Sequence, residues 1–418
     1  MRILLGFLSF LLLSSNLHAQ QRIKLMHYNL LNFGNNCGNV DVLSKYAWLE
    51  TILEEARPDV FTVNELNPNP IFSNGIVSRS FGYTNAIKRA SITNQANSNI
   101  VNQLFYNEDK VTLISEDVIR YSLRDINAYR LYVNSSGENG NDSLFFYCIV
   151  GHFKATDEPS SANSRAVAAN LVMNWIDQNA NGDGVVVMGD FNIYRPSETA
   201  YQTMTNNSNA ALSLTDVITT VGWGGSGGNA FYTQSTRTTS QDCGSAGGMD
   251  DRFDMMLFSS NLVDTNSDLQ LETSSYSAFG NDDNPYNQSL QCQGNSSVPF
   301  SVCTALILMS DHLPVVADLV ASTVVSTDRD LRIPGLRMNL APNPVEDRLS
   351  IEFLYSEFSQ EDFQLSLQNM LGQKVWQQEV SSQSQSLELP MSQLDAGLYV
   401  LKIEDASGRF LSEKVWKR

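Results

Sequence analysis

Eight polar side chains stand at the ends of apolar runs, and their types would suit phosphoester hydrolysis. Asn29 stands in HYNL, Glu65 follows VFTVN, and His152 follows the apolar run LFFYCIVG. Asp190 and Asn192 follow VVVMG, Asp254 opens DMMLF, and the pair Asp311-His312 stands in MSDHLP. Buried carboxylates and imidazoles are costly unless paired or metal-bound. Taken singly, each has a plain alternative. Asn29 suits a turn or cap, Glu65 a salt bridge, His152 a hydrogen-bonded core position, and Asp311-His312 a turn. Eight at comparable positions are not explained that way. Hydrolysis of a phosphodiester needs an activated water, a stabilised leaving oxygen and positive charge against the non-bridging oxygens. Hard oxygen ligands for Mg²⁺ and an imidazole oriented by a carboxylate supply those needs.

The elements that must position these groups can be read from periodicity. Residues 22–30, VFTVNEL and VVVMGD read as strands, with Asp190 and Asn192 on one face and Phe191 on the other. Gly189 leaves room for close approach. QLFYN and KVTLISEDVI read as a hairpin, and LYVNSSGENGNDSLFFYCIVGHF as two strands around a Gly/Asn turn. DRFDMMLFS is another strand, and ALILMSDHLPVVADLV carries two more around Asp311-His312. Helices are expected over 44–57, capped by Ser44, and over 161–179. The second would turn Val167, Leu171, Val172, Trp175 and Ile176 to one face. Residues 222–249 are loops, and Asp183 in NGDG is a turn residue rather than a calcium ligand. Strand–strand pairs outnumber strand–helix–strand units, which predicts packed sheets with helices outside.

The chain has 418 residues, enough for two or three domains. Its net charge of −18 argues against loose binding to DNA through a basic surface, while allowing a nucleic acid held at one metal-bearing cleft. MRILLGFLSFLLLSSNLHA, residues 1–19, reads as a secretory signal peptide, and no other stretch is apolar enough to cross a bilayer. Export favours some cysteine pairing. Cys292 and Cys303 flank a polar loop and are expected to bridge, Cys148 is expected free in the core, and spacing leaves Cys37 with Cys243 undecided. After a polar linker at 323–337, residues 338–418 show six or seven short alternating strands, a small all-β sandwich.

Taken in order, Asn29, Glu65, His152, the GDFN motif, the Arg252-Phe253-Asp254 motif and SDHLP resemble the endonuclease/exonuclease/phosphatase superfamily across residues 22–320. The resemblance implies an α/β fold, the four-layer α/β/β/α sandwich called DNase I-like, for a catalytic domain over 20–322. It implies Glu65 as main Mg²⁺ ligand, with Asn29 and Asp311 on the metal or its waters; Mn²⁺ or Ca²⁺ would also suit. Asp190 and Asn192 would bracket the attacking water and the scissile phosphate. His312, held by Asp254, would be the catalytic histidine, and His152 would stabilise the charge on phosphorus. Arg130, and more weakly Tyr121, stand where phosphate contacts occur. The implied activity is an exported endonuclease on DNA or RNA. The alternative is a phosphodiesterase or phosphatase for phospholipid or sugar-phosphate head groups. A binding protein with a dead catalytic fold has no need of Glu65, Asp190, Asn192, Asp254 and His312 together. APNPVEDRLSIEF, GLYVLKI and the terminal KVWKR resemble the type A C-terminal sorting domain of the type IX secretion system, which implies the secretion machinery as a partner. Oligomeric state is left open.

Overall fold

The computed structural model describes residues 20–322 and 336–418, apart from 120, 135–143, 208, 210–211, 219–222, 224, 226, 356–361, 370–372, 382–383 and 406–409. The expected signal peptide, nearly all of the linker and the Gly/Asn turn near 140 therefore lie outside the described residues. The chain divides between residues 324 and 325 into two compact units.

The first unit is built on two six-stranded mixed sheets. One contains β1 (Gln20–Phe33), β2 (Val60–Leu66), β3 (Ile87–Arg89), β4 (Val101–Asn107), β11 (Leu269–Ala278) and β12 (Val315–Ser322), in the order β11-β12-β1-β2-β4-β3. The other contains β5 (Val111–Ile119), β6 (Ile126–Val133), β7 (Phe145–His152), β8 (Gly184–Asp190), β9 (Leu214–Thr215) and β10 (Asp254–Ser259), in the order β5-β6-β7-β8-β10-β9. Each sheet has one parallel pair, β1 with β2 and β7 with β8. A parallel pair needs a crossover, supplied here by α1 (Val42–Ala56) and by α3 (Pro159–Asn179).

Alternation along the strands separates three apolar layers. Val186 and Met188 of β8 enter the core between the sheets with Leu25, Val60, Cys148, Val150, Met256 and Phe258. Val185 and Val187 face the opposite way, against α3 and α4 (Thr199–Thr205), with Ala168, Val172 and Met204. On the far side Met26, Tyr28, Phe61 and Val63 pack under α1 and α6 (Phe300–Met309), with Leu49, Leu53, Cys303 and Leu306. The result is the α/β/β/α sandwich, and it explains why VVVM is apolar on both faces.

Four local readings are corrected. QLFYN and KVTLISEDVI are not a hairpin: β4 pairs with β2 and β3, whereas β5 pairs with β6, so the turn between them carries the chain from one sheet to the other. ALILM is not a strand but the end of α6, whose uniformly apolar sequence has no period and buries its face against α1. The α1 cap is Asp41 rather than Ser44, its Oδ1 accepting from the N–H groups of Leu43 and Ser44 at 2.8 and 3.0 Å. Val167 of α3 is exposed, and Arg165, Ala168, Ala169, Val172, Met173 and Ile176 form its buried face. Arg165 is tolerated there because its guanidinium pairs with Glu198 at 2.8 Å and donates to the carbonyls of Lys154 and Thr156. Cysteine pairs join Cys37 to Cys243 and Cys292 to Cys303, and Cys148 is free and buried.

The second unit is all β. Strands β13 (Leu336–Ala341), β14 (Arg348–Tyr355) and β17 (Ser386–Pro390) form one antiparallel sheet. Strands β15 (Phe363–Asn369), β16 (Lys374–Val380), β18 (Gly397–Glu404) and β19 (Phe410–Lys417) form another. Leu349, Ile351, Leu365, Leu367, Leu401, Ile403 and Val415 fill its core.

Gly189 is opposite Gly151 in the β7–β8 register, and a Cβ there would sit 1.9 Å from the Gly151 carbonyl oxygen. Gly189→Ala is therefore expected to lower stability by about 1–3 kcal/mol, the usual cost of overpacking. A urea midpoint equal to wild type would show that the two backbones do not approach this closely.

Candidate active site

The two crossovers bring the carboxyl ends of four parallel-paired strands to one place, and the antiparallel strands β10 and β12 start there. His152 pairs in register with Asp190, and Asp190 with Asp254. Asp190 and Asp254 continue the faces of β8 and β10 that carry Met188 and Met256, and His152 continues the face of β7 that carries Val150. Asn29 continues the face of β1 that carries Leu25. The site thus caps the core between the sheets.

Two residues reach it by leaving the pleat. Glu65 has the parity of Val63, which alternation would turn toward α1; its φ of 59° redirects the carboxylate. Asn192 has φ 49° and lies beyond the end of β8, so it does not share a strand face with Asp190 as expected. It turns back instead, its N–H and its Nδ2 both donating to Asp190 Oδ1 at 3.1 and 2.8 Å. Phe191 does point into the core, 4.9 Å from Phe153. Leu31 and Asn32 are also left-handed, with φ 47° and 54°. Such backbone costs about 1–3 kcal/mol per residue and persists only where its surroundings determine it. Here the Asn32 N–H donates to Glu65 Oε2 at 2.9 Å, and the buried Lys45 Nζ donates to the carbonyls of Leu30 and Leu31 at 2.8 and 2.5 Å. Burial lowers the Lys45 pKa to about 8, opposed by the Glu65 and Asp311 carboxylates.

The centre is a set of carboxylates bridged by amides. Asn29 Nδ2 donates to Glu65 Oε1 at 3.1 Å and to Asp190 Oδ2 at 3.0 Å, while its oxygen accepts from the Leu31 N–H. In this geometry Asn29 holds two carboxylates together, and its oxygen is already used. His312 Nδ1 lies 2.7 Å from Asp254 Oδ2, and its Nε2 lies 3.8 Å from Asp190 Oδ2. Burial lowers the His312 pKa, but Asp254, Asp190 and Asp311 outweigh it and raise it well above 6.5. Burial raises the Asp190 pKa to about 7, helped by Asp254 and Glu65 and opposed by His312 and the Asn29 bond. His152 Nε2 is 3.4 Å from Asp190 Oδ2 and 3.9 Å from Glu65 Oε1. Burial, and then Arg124, push its pKa well below 6.5, so it is neutral.

Behind the carboxylates a buried polar seam joins the sheets. Asn64 Oδ1 accepts from the Asp190 N–H at 2.9 Å and contacts His27 Nε2 at 3.1 Å. Asn64 Nδ2 donates to Asn102, which donates onward to Asn127 Oδ1 and to the Val150 carbonyl. His27 is thus used by the seam.

Three side chains could hold a divalent cation. Ligand atoms of Glu65, His152 and Asp190 lie within 4.8 Å of one another. Asp254 Oδ1 and Asp311 Oδ1 are buried without a hydrogen-bond partner. Asp311 Oδ2 is held by the Ser245 N–H at 2.7 Å and by Gln234 Nε2 at 3.1 Å.

One expected phosphate contact, Arg130, is not brought here. Arg130 pairs with Asp183 at 2.7 Å and stacks on Phe145. Its register partner is Tyr147, about 17 Å along β7 from His152 at ordinary strand rise. The Tyr121 hydroxyl donates to the Ser164 carbonyl beneath α3. The arginine at the site is Arg124, whose Nη1 lies 2.5 and 2.8 Å from the two ring nitrogens of His152. Arg124 and Arg130 share one short stretch, YSLRDINAYR, and only strand pairing tells them apart.

Among curated proteins none matches the sequence. Among solved structures, a Bacteroides vulgatus endonuclease/exonuclease/phosphatase is 14% identical, covering 72% of this chain and 98% of its own, with a TM-score of 0.46. The human Nocturnin catalytic domain is 16% identical, covering 72% and 97%, with a TM-score of 0.44. D. rerio TDP2 complexed with a single-strand DNA product is 14% identical, covering 71% and 98%, with a TM-score of 0.47. Residues 339–418 match the secretion system C-terminal sorting domain. Residues 26–312, which contain Asn29, Glu65, His152, Asp190, Asn192, Asp254, Asp311 and His312, match the endonuclease/exonuclease/phosphatase family model, and the chain belongs to that family.

Proposed function

We propose that this chain is an exported, Mg²⁺-dependent phosphodiester hydrolase acting on DNA or RNA. The observation that carries the reading is the joining of Asp254, His312, Asp190, Asn29 and Glu65 into one connected cluster. Asp190 accepts the proton of the attacking water as general base. Asn192 and Asn29 hold its carboxylate in place. As the water oxygen bonds to phosphorus, the bond to the leaving oxygen breaks, and protonated His312 gives that oxygen its Nε2 proton. Asp254 keeps the His312 ring oriented. Arg124 and neutral His152 meet the non-bridging oxygens, where positive charge and donors count most. A divalent cation held by Glu65, with Asp190 and Asp311 beside it, would supply Lewis-acid charge to the phosphate. The sorting domain supports passage across the outer membrane and an encounter with the secretion machinery.

A phospholipid or sugar-phosphate diester is the second reading. It is favoured by the net charge of −18 and by Asp251, which couples electrostatically to Asp250, Asp157 and His312.

Purified protein is expected to nick plasmid with Mg²⁺ and not with EDTA. His312→Ala should lower the rate by ~10²–10⁴ while the far-UV spectrum is unchanged. Wild-type rates in that variant would remove His312 from the mechanism, and phosphocholine release from sphingomyelin without nicking would select the second reading. Arg124→Ala should cost ~10²-fold or more, as loss of a charge-stabilising donor does, whereas Arg130→Ala should hydrolyse at wild-type rates. The reverse pattern would restore Arg130 as the phosphate contact. Burial, and then Asp250 and Asp157, raise the Asp251 pKa from 3.8 to about 7. The folded state therefore binds a proton that the unfolded state releases, and stability is lost as pH rises from 3.8 through 7. Asp251→Asn should unfold at higher temperature than wild type at pH 8, with the gap closing as pH approaches 4. A gap independent of pH would contradict this origin.

A further inference from the structure

Gln234 is a polar group at the centre with no place in the chemistry above, and its position is built rather than incidental. Its backbone bridges two site segments, pairing with Asp251 on one side and His312 on the other. The Gln234 N–H donates to the Asp251 carbonyl, and the N–H groups of Asp250 and Asp251 donate to the Gln234 carbonyl. Flanking bonds run from the Thr236 N–H to the Asp311 carbonyl and from the Leu313 N–H to the Thr233 carbonyl. Thr233 and Ser235 are buried, whereas Gln234 is only half-buried. The backbone is held by these bonds, while the residue keeps partial exposure.

That side chain touches the reacting groups directly. Gln234 Nε2 donates to Asp311 Oδ2 at 3.1 Å and lies 2.7 Å from His312 Nε2. A carboxylate only accepts, so the Asp311 contact fixes which end of the amide faces inward. His312 Nε2 is the ring atom opposite the Asp254 bond, the atom that must face a substrate oxygen. The Gln234 amide nitrogen therefore stands where that oxygen would come.

Resting on the reading of this site as a phosphodiester hydrolase, we propose that Gln234 is a further catalytic residue. With His312 protonated, its Nε2 and the amide nitrogen are both donors, so their 2.7 Å approach is not a hydrogen bond between them; both donate to an oxygen of the scissile phosphate when substrate comes between them. The exchange is of hydrogen bonds alone: the amide turns about its side-chain bonds, Asp311 keeps its Ser245 bond, and no proton is transferred by Gln234.

The test uses the full chain with Mg²⁺ and bis(p-nitrophenyl) phosphate, together with calorimetric binding of orthovanadate. Gln234→Ala should lower kcat by ~10²-fold, as removal of one donor to developing phosphate charge does, with KM changed far less. Vanadate binding should weaken in the same variant, while thermal unfolding stays at the wild-type temperature. Gln234→Glu, which sets a carboxylate against Asp311 and the phosphate, should be at least as impaired, and Gln234→Asn should recover part of the rate. A Gln234→Ala enzyme within about threefold of wild type in kcat, well short of the loss expected for such a donor, would overturn the assignment. Equal vanadate affinity in the two proteins would overturn it as well. No hydrolysis by the wild type would instead overturn the reading of the site, and Gln234 would then be judged by vanadate binding alone.

Discussion

Everything in the first unit answers to one electrostatic problem: Glu65, Asp190, Asp254 and Asp311 converge where the two sheets end, and three of them are buried. Placing one ionised carboxylate out of water costs several kcal/mol, and neighbours of like charge add to it. Hydrogen bonds to a charged group return about 1.5–3 kcal/mol each. Asp190 receives three, from Asn29 Nδ2 and from the Asn192 N–H and Nδ2, and its pKa is still pushed up to about 7. Burial outweighs the donors. The remaining charge deficit is of the kind a divalent cation meets.

The surrounding residues can be sorted by how they ease that problem. Arg124 and Lys45 bring positive charge, Lys45 from beneath the left-handed turn at Leu31 and Asn32. His312 takes up charge from three carboxylates at once, and is raised despite its burial. The amides of Asn29, Asn64 and Asn192 hold the carboxylates without adding charge. The strained backbone at Glu65 and Asn192 follows from the same need, because alternation alone cannot aim every group inward. Strain and desolvation are concentrated at one end of the sandwich, and the three apolar layers that stabilise it lie elsewhere.

Much of this was legible because strand chemistry is local. Asn29, His152, Asp190 and Asp254 continue the alternating face of their own strands, so a polar residue at one end of an apolar run marks each of them. Cys292 and Cys303, eleven residues apart around a polar loop, could be paired from spacing, whereas Cys37 and Cys243 lie 206 apart and needed the fold. Errors fell where local pattern is ambiguous. ALILM has no apolar period, so helix and strand read alike until packing on α1 decides. QLFYN and KVTLISEDVI lie beside one another in sequence, yet they belong to different sheets.

By itself the sequence determined the ordered set of acid, amide and imidazole groups, the two-sided burial of β8 and the all-β tail, since each depends on residue type and on a period of two. Tertiary structure alone decided which groups touch. It chose Arg124 over Arg130 through the β6–β7 register, and it turned the Asn29 nitrogen rather than its oxygen to the carboxylates. It also set Gln234 against His312 across 78 residues of chain. Contacts between distant segments depend on how two sheets and their loops close on one another, and no local period records that.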